Sequence, residues 1–318
     1  MTVGGQARSD PAKSLAARRA KAVAIVGTNA SGKSALGVAV ALRFGGEIIS
    51  ADSRQVYRGL DIGTGKLTRD EMQGIRHHLI DVMDLGTRYS MADFQKSAYR
   101  LIDEIADSGK LPVIVGGTGL YVRSVVEGYQ LTTAQPDLAL RDRLEQLTND
   151  ELYHRLNELA PDAAKTIDPR NRRRIIRAVE IREQGFPFKT SHVNAPQYKF
   201  CQLGLTWPRD VLRERIKSRL RTRLDAGMVQ EVRNLLSEGV SFSRLEALGL
   251  EYRSVARFLQ GEYASEQELF DELSRDIYRF AMRQLAWFRR DKSIMWLDHA
   301  KDYAEQAFEL IEGFMKQP

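Results

Sequence analysis

The residues Gly27, Thr28, Asn29, Ala30, Ser31, Gly32, Lys33 and Ser34 have the spacing of a phosphate-binding loop, G-x-x-x-x-G-K-[ST]. The glycines let backbone N–H groups curl around a phosphate, and the helix that follows turns its positive dipole end toward it. Lys33 can reach the terminal phosphate, and the Ser34 hydroxyl can ligate Mg²⁺. A glycine turn that only caps a helix would not explain Lys33-Ser34. The motif leaves open which phosphorylated molecule binds.

Other residues could act beside it. Asp52 follows a short apolar run, where a carboxylate can hold Mg²⁺ through water, serve as a general base, or simply cap a turn. Thr118 lies in Gly116-Gly117-Thr118-Gly119, where its hydroxyl can bond a ligand or cap a helix starting near Leu120. The densest basic cluster is Asn171-Arg172-Arg173-Arg174-Ile175-Ile176-Arg177. Its arginines suit nucleic-acid phosphates or base edges, or a surface stripe paired with Glu180 and Glu183. Arg215, Arg219 and Arg223 recur every fourth residue, and one of them could clamp a diphosphate. His77-His78 looks like a metal pair, but adjacent strand residues face opposite sides, so zinc is not expected.

These residues need elements to position them. Residues 22–26 read as a strand and 34–44 as its helix; 47–51 and 111–115 read as further strands, and 79–83 as another. A helix over 91–108 has Ser90 and Asp93 as a capping pair and Gly109 as its stop. Alternating strands and helices predict an α/β fold with a covered parallel sheet. Ligands then sit at the carboxyl ends of the strands, which brings together the glycine loop, the turn after Asp52 and Gly116-Gly117-Thr118. From about Gly128 to Pro196 the sequence is charged, helical and nearly strand-free, and reads as an insertion. Residues 198–206 return to strand, 209–238 read as one long or two abutting helices, and 294–298 as a final core strand. Trp287 and Phe288 read as core packing in a C-terminal helix.

The 318 residues and 43% hydrophobic content allow a sizeable core. No apolar run approaches the roughly 18 residues of a membrane span, so no membrane partner is expected. One cysteine, Cys201, excludes an intramolecular disulfide and fits a reducing, cytoplasmic compartment. Between Arg141 and Arg223 stand 19 Lys+Arg against 11 Asp+Glu, an excess of eight that is larger than the net +6 of the chain. Such a block suggests a polyanionic partner, although solvated basic surfaces are common.

Taken in order, the glycine loop, Asp52-Ser53-x-Gln55-x-Tyr57, Asp61-Ile62-Gly63-Thr64, His77-His78-Leu79, Tyr89-Ser90-x-x-Asp93-Phe94, Val115 to Tyr121, Arg174-x-x-Arg177-Ala178-x-Glu180 and Arg283-Gln284-x-x-Trp287-Phe288-Arg289 resemble the bacterial tRNA dimethylallyltransferases, also called tRNA isopentenyltransferases. The resemblance runs from about Val23 to Leu297. It implies a P-loop NTPase-like parallel sheet flanked by helices, with an inserted all-helical domain. Residues 1–20 would be a flexible extension, 21–128 with 198–318 the catalytic core, and 129–197 a helical domain for tRNA binding. The glycine loop and Arg219 would hold the diphosphate of dimethylallyl diphosphate, with Mg²⁺ on Ser34. Asp52 would be the general base on the N6 amine of the adenosine 3′ of the anticodon, and Thr118 would hold that amine. Asp52, Ser53, Arg54, Gln55, Thr118, Arg141, Arg173, Arg174, Ile175, Ile176 and Arg177 would meet the tRNA. A monomer is expected.

The chain departs from that pattern in places. Thr28-Asn29 replaces Pro-Thr, Met282 stands where Lys is common, and Arg223 where Met is common. The Gly-Tyr-Arg spacing is stretched across Leu248 to Arg253. Competing readings are a small-molecule kinase, a non-catalytic RNA-binding protein, and a prenyltransferase for free adenine nucleotides. Intact Lys33, Ser34, Asp52 and Thr118 argue against a decayed site, and the basic insertion argues for tRNA.

Overall fold

The computed structural model describes residues 20–132, 134, 136–188 and 196–317. Most of the expected N-terminal extension, 1–19, lies outside the described residues. Of the described residues, those up to Val126 and from Gln197 onward form one compact unit, and Glu127–Pro196 a second.

The larger unit is built on a six-stranded parallel sheet in the order β3-β2-β4-β1-β5-β6. The strands are β1 (Lys21–Gly27), β2 (Gly46–Ser50), β3 (His77–His78), β4 (Leu111–Gly116), β5 (Lys199–Leu205) and β6 (Met295–Trp296). Central strands read as continuous apolar runs because both sheet faces are covered: Ala22 to Val26 are fully buried. Helices α1 (Lys33–Phe44), α2 (Arg69–Met72) and α3 (Met91–Asp107) connect the first four strands, and α4 (Gly119–Val126) follows β4. Ser90 and Asp93 form the expected capping box on α3, and Gly109 follows its end at φ +73°.

Two expectations change. Residues 79–83 are not a strand: Leu79 and Asp81 adopt φ of +62° and +55°, which no ladder accommodates. Asp81 instead forms an ion pair with Lys66, and residues 81–83 send their amides to Gln55 and Val56, bracing the turn that follows Asp52. The expected core strand over 294–298 shrinks to the two-residue edge strand β6, whose Met295 is exposed.

In the second unit, α5 (Leu138–Glu145), α6 (Asn149–Leu159), α7 (Pro161–Ala164) and α8 (Arg172–Glu183) pack around Leu144, Leu152, Leu156, Ile175 and Val179. After β5 the first unit resumes with α9 (Arg209–Asp225), α10 (Met228–Ser237), α11 (Phe242–Leu248), α12 (Leu250–Leu259) and α13 (Glu266–Phe288), and closes with α14 (Tyr303–Lys316). The stretch 209–238 is therefore two helices, parted by Gly227 at φ +97°. On α9, Leu212, Ile216, Leu220 and Leu224 are buried. That anchors the helix so that the adjoining row, Arg215, Arg219 and Arg223, runs along the edge of the buried face.

Candidate active site

The glycine loop joins β1 to α1 as expected. Ala30 and Gly32 take positive φ, and Gly32 supplies no capping side chain, so the first amides of α1 keep no intrahelical partner. Asn29, Ala30, Lys33 and Ser34 line one cavity with Asp52, Gln55, Thr64, Gly65, Arg219, Arg223 and Glu251. The expected convergence of strand-end loops is therefore met by the glycine loop, the turn after β2 and Gly116 at the end of β4, while Thr118 does not line this cavity; the loop 61–65 joins them.

Within the cavity, Lys33 donates to its own loop at Thr28 O, 3.2 Å away. Burial, then the nearby Arg219, lower its pKa to about 8. Arg219 donates to Gly65 O at 3.1 Å, and burial, then Arg223, lower its pKa to about 10. Buried cations brought this close, outnumbering Asp52 and Glu251 in the same cavity, suit a strongly negative ligand.

Asp52 Oδ1 accepts the backbone N–H of Arg54 at 2.8 Å and of Gln55 at 3.4 Å. These bonds fix the carboxylate as the head of a turn and leave Oδ2 without a hydrogen bond among the described residues. The turn reading and the catalytic reading of Asp52 thus coexist on different oxygens. Thr118 is placed similarly. Its carbonyl accepts the amides of Tyr121 and Val122 at the start of α4, while its hydroxyl accepts Ser53 N–H at 3.2 Å. Ser53 N–H therefore ties Thr118 to the Asp52 turn, and the hydroxyl keeps its own hydrogen for a ligand.

Other expected residues are placed differently. Gln55 is held inside the cavity, accepting from Ser50 Oγ at 3.0 Å and donating to Thr64 O and Gly65 O at 3.5 Å. The Arg54 guanidinium donates to Ala247 O. Arg215 leaves the clamp row: it donates to Ala30 O at 2.9 Å and stacks on Trp207, whose indole N–H donates to Ser31 O at 2.7 Å. That pair braces the glycine loop from behind. Thr28 and Ser31 are fully buried. Their side chains therefore cannot meet a ligand, and only their backbone can. His77 and His78 turn to separate partners, Ile75 O and the Glu47 carboxylate.

In the helical unit, the basic cluster divides. Arg173 and Arg174 are exposed and carry no ion pair among the described residues. Ile175 and Ile176, expected to face tRNA, are buried in the apolar core and cannot present side chains to it. Arg177 and Arg141 are committed to the fully buried Glu180, which also accepts Asp137 N–H at 2.6 Å. Arg177 further donates to Ala134 O at 2.8 Å.

Three residues to which no role was attached prove structural to the site. The buried Gln284 accepts Asn29 N–H and donates to Gly117 O, both at 2.9 Å, locking the glycine loop to the turn after β4. It stood in the Arg283-Gln284 motif, the one signal available for it. Glu231 accepts the amides of Asp61, Ile62 and Gly63 at 3.0, 2.6 and 3.0 Å and the Tyr252 hydroxyl at 2.7 Å. Burial, then that carboxylate, push the Tyr252 hydroxyl well above its ordinary pKa. Glu251 pairs with Arg223 at 3.3 Å.

The IPP transferase family model matches residues 55–291. The tRNA dimethylallyltransferase of Carboxydothermus hydrogenoformans is 42% identical over 301 residues, which cover 92% of this chain and 96% of that protein. The tRNA dimethylallyltransferase of Heliobacterium modesticaldum is 44% identical over 284 residues, 86% of this chain and 88% of its own. The crystal structure of the full-length tRNA isopentenylpyrophosphate transferase from Bacillus halodurans has a TM-score of 0.67 at 38% identity, covering 93% of this chain and 98% of that one. With a matching parallel sheet, a glycine loop facing a cationic cavity and this extent of similarity, the chain belongs to the IPP transferase family, that of the tRNA dimethylallyltransferases.

Proposed function

We propose that this protein transfers the dimethylallyl group of dimethylallyl diphosphate to the N6 amine of the adenosine 3′-adjacent to the anticodon in tRNA, releasing diphosphate. The observation that carries this reading is the cavity itself: Lys33 and Arg219 line it together with the Asp52 carboxylate. In the reaction the bond between the allylic carbon and the diphosphate oxygen breaks, and a bond from N6 to that carbon forms. The N6 proton passes to Asp52 Oδ2, the oxygen not used by the turn. The hydroxyl of Thr118 orients the amine. Lys33, Arg219 and the amides of α1 receive the negative charge that grows on the departing diphosphate.

The Ser34 hydroxyl and the Asp52 carboxylate are hard oxygen donors in this cavity and fit Mg²⁺, with Ser34 as the residue that would hold it. The ion would offset the charge of the diphosphate. The exposed Arg173 and Arg174 are the surface residues that would meet tRNA phosphates. No helix among the described residues is long and apolar enough to cross a membrane. The proposal includes a monomer working in the cytoplasm. The buried free Cys201, whose thiol burial pushes up to about 11, is consistent with a reducing compartment.

The test is to incubate the protein with dimethylallyl diphosphate labelled in the hydrocarbon, or with γ-labelled ATP, with and without tRNA. Label in tRNA from the prenyl donor alone is the expected result. Phosphate transfer from ATP to a small acceptor would replace this reading with that of a kinase.

A further inference from the structure

Arg223 lies one helical turn after Arg219 on α9 and lines the same cavity. It is largely buried, yet weakly held. Nη1 reaches Glu251 Oε1 at 3.3 Å and Gly63 O at 3.4 Å, both at the long end for a charged hydrogen bond, and the buried Nε has no partner among the described residues. The two guanidinium groups crowd the same point. A Cβ placed on Gly65 would stand 2.0 Å from Arg223 Nη2 and 2.7 Å from Arg219 Nη2, so the two nitrogens lie no farther apart than the sum of those distances. Gly65, at φ +62°, is thus the residue over which both arginines close, and no side chain fits there. Lys33 shares the cavity, and Glu251 is the carboxylate paired with the row. Three cations face two acids, Asp52 and the loosely bonded Glu251, which leaves spare donor capacity on a guanidinium whose planar fork matches phosphate oxygens.

We infer that Arg223 is a third phosphate-recognition residue of this site, kept at the cavity wall by Glu251 until the diphosphate arrives and then shared with it. The inference rests on the diphosphate reading of the cavity given above. It assigns the ion pair a definite role: Glu251 is a counter-ion that competes with the ligand for Arg223. Removing Glu251 should therefore strengthen phosphate binding, and only while Arg223 is present. A pair serving structure alone would behave otherwise, because loss of either partner would weaken the fold and leave binding as it was.

The experiment is calorimetric titration of the full chain with inorganic pyrophosphate, without tRNA, for wild type, Arg223→Met, Glu251→Gln, the double variant and Lys33→Ala. The KM for dimethylallyl diphosphate is measured alongside. Arg223→Met should weaken pyrophosphate binding and raise the donor KM about tenfold or more, the effect of one charged hydrogen bond, with the KM for tRNA unchanged. Glu251→Gln should tighten pyrophosphate binding several-fold, and this gain should vanish in the double variant. Because Glu251→Gln keeps Arg223, it reads the inference even if Arg223→Met folds poorly. An unchanged pyrophosphate affinity in Glu251→Gln, or the same gain with and without Arg223, overturns it. If Lys33→Ala weakens binding while both Arg223 and Glu251 variants match wild type, the inference falls and the diphosphate site stands. If Lys33→Ala binds normally as well, the diphosphate reading fails and takes the inference with it.

Discussion

Arg177 and Arg173 are four residues apart on α8, and the structure gives them opposite tasks, which a pair of substitutions separates. Glu180 is fully buried and is held by Arg177, Arg141 and the amide of Asp137. Arg177→Ala removes one charged partner and also the bond to Ala134 O. Loss of one partner of a buried pair costs about 3–5 kcal/mol when the remaining charge is stranded. Here Arg141 and one N–H remain, so the lower end applies, about 3 kcal/mol. Arg173→Ala removes an exposed guanidinium with no ion pair among the described residues, which costs less than about 0.5 kcal/mol. Urea unfolding followed by circular dichroism measures both. The tRNA titrations run the other way. Arg173→Ala should lower the slope of log affinity against log salt by roughly 0.9, one released counter-ion. Arg177→Ala, measured well below its unfolding midpoint, should leave that slope near wild type. The reasoning is refuted if Arg177→Ala unfolds like wild type and loses salt slope as Arg173→Ala does.

Other consequences follow from the core unit. Asp52→Asn keeps the turn-forming oxygen and loses the proton acceptor, so single-turnover transfer should slow by roughly 10²-fold or more with tRNA affinity unchanged. Lys33, with a pKa near 8 in the free protein, is charged below that pH; a bound diphosphate favours the charged form and raises the pKa. Binding should therefore take up a proton just above pH 8, and donor KM should rise by up to tenfold per pH unit there, a rise absent from Lys33→Arg. Glu231→Ala frees three amides and the Tyr252 hydroxyl, which should cost about 2–4 kcal/mol in urea unfolding and raise donor KM through the loosened 61–65 loop.

The parts legible in the sequence were those whose signal is local. The glycine loop, the Ser90-Asp93 capping box and the apolar runs of β1 and β4 each fit in fewer than about ten residues, and each forms as read. Residues 79–83 misled because their apolar content matches a strand, while the decisive contact, Asp81 with Lys66, lies outside any strand pattern. For the basic run 171–177 the sequence leaves open nucleic-acid contact or pairing with Glu180 and Glu183, and α8 divides the two because it must bury a face. Its apolar pair turns inward, and Arg177 follows the buried Glu180. Gln284 was beyond local reading for another reason: it bonds Asn29 across 255 residues.

The loop 61–65 shows how such distant residues make a catalytic environment. Glu231 gathers the amides of Asp61, Ile62 and Gly63, so the peptides are oriented with their N–H groups toward a carboxylate. The carbonyls of Gly63, Thr64 and Gly65 are then left to hold Arg223, Gln55 and Arg219 at the cavity. Those carbonyls are neutral partners and hold a guanidinium less strongly than an anion does. The free site therefore keeps its cations positioned close together, and their repulsion adds to burial, the larger cause, in lowering the pKa of Lys33. On the function proposed above, a diphosphate ester would relieve part of that repulsion on binding. The diphosphate separating from the allylic carbon would carry more negative charge and relieve more of it. The surplus would fall on the transition state, so the cost of crowding these cations would become a contribution to rate.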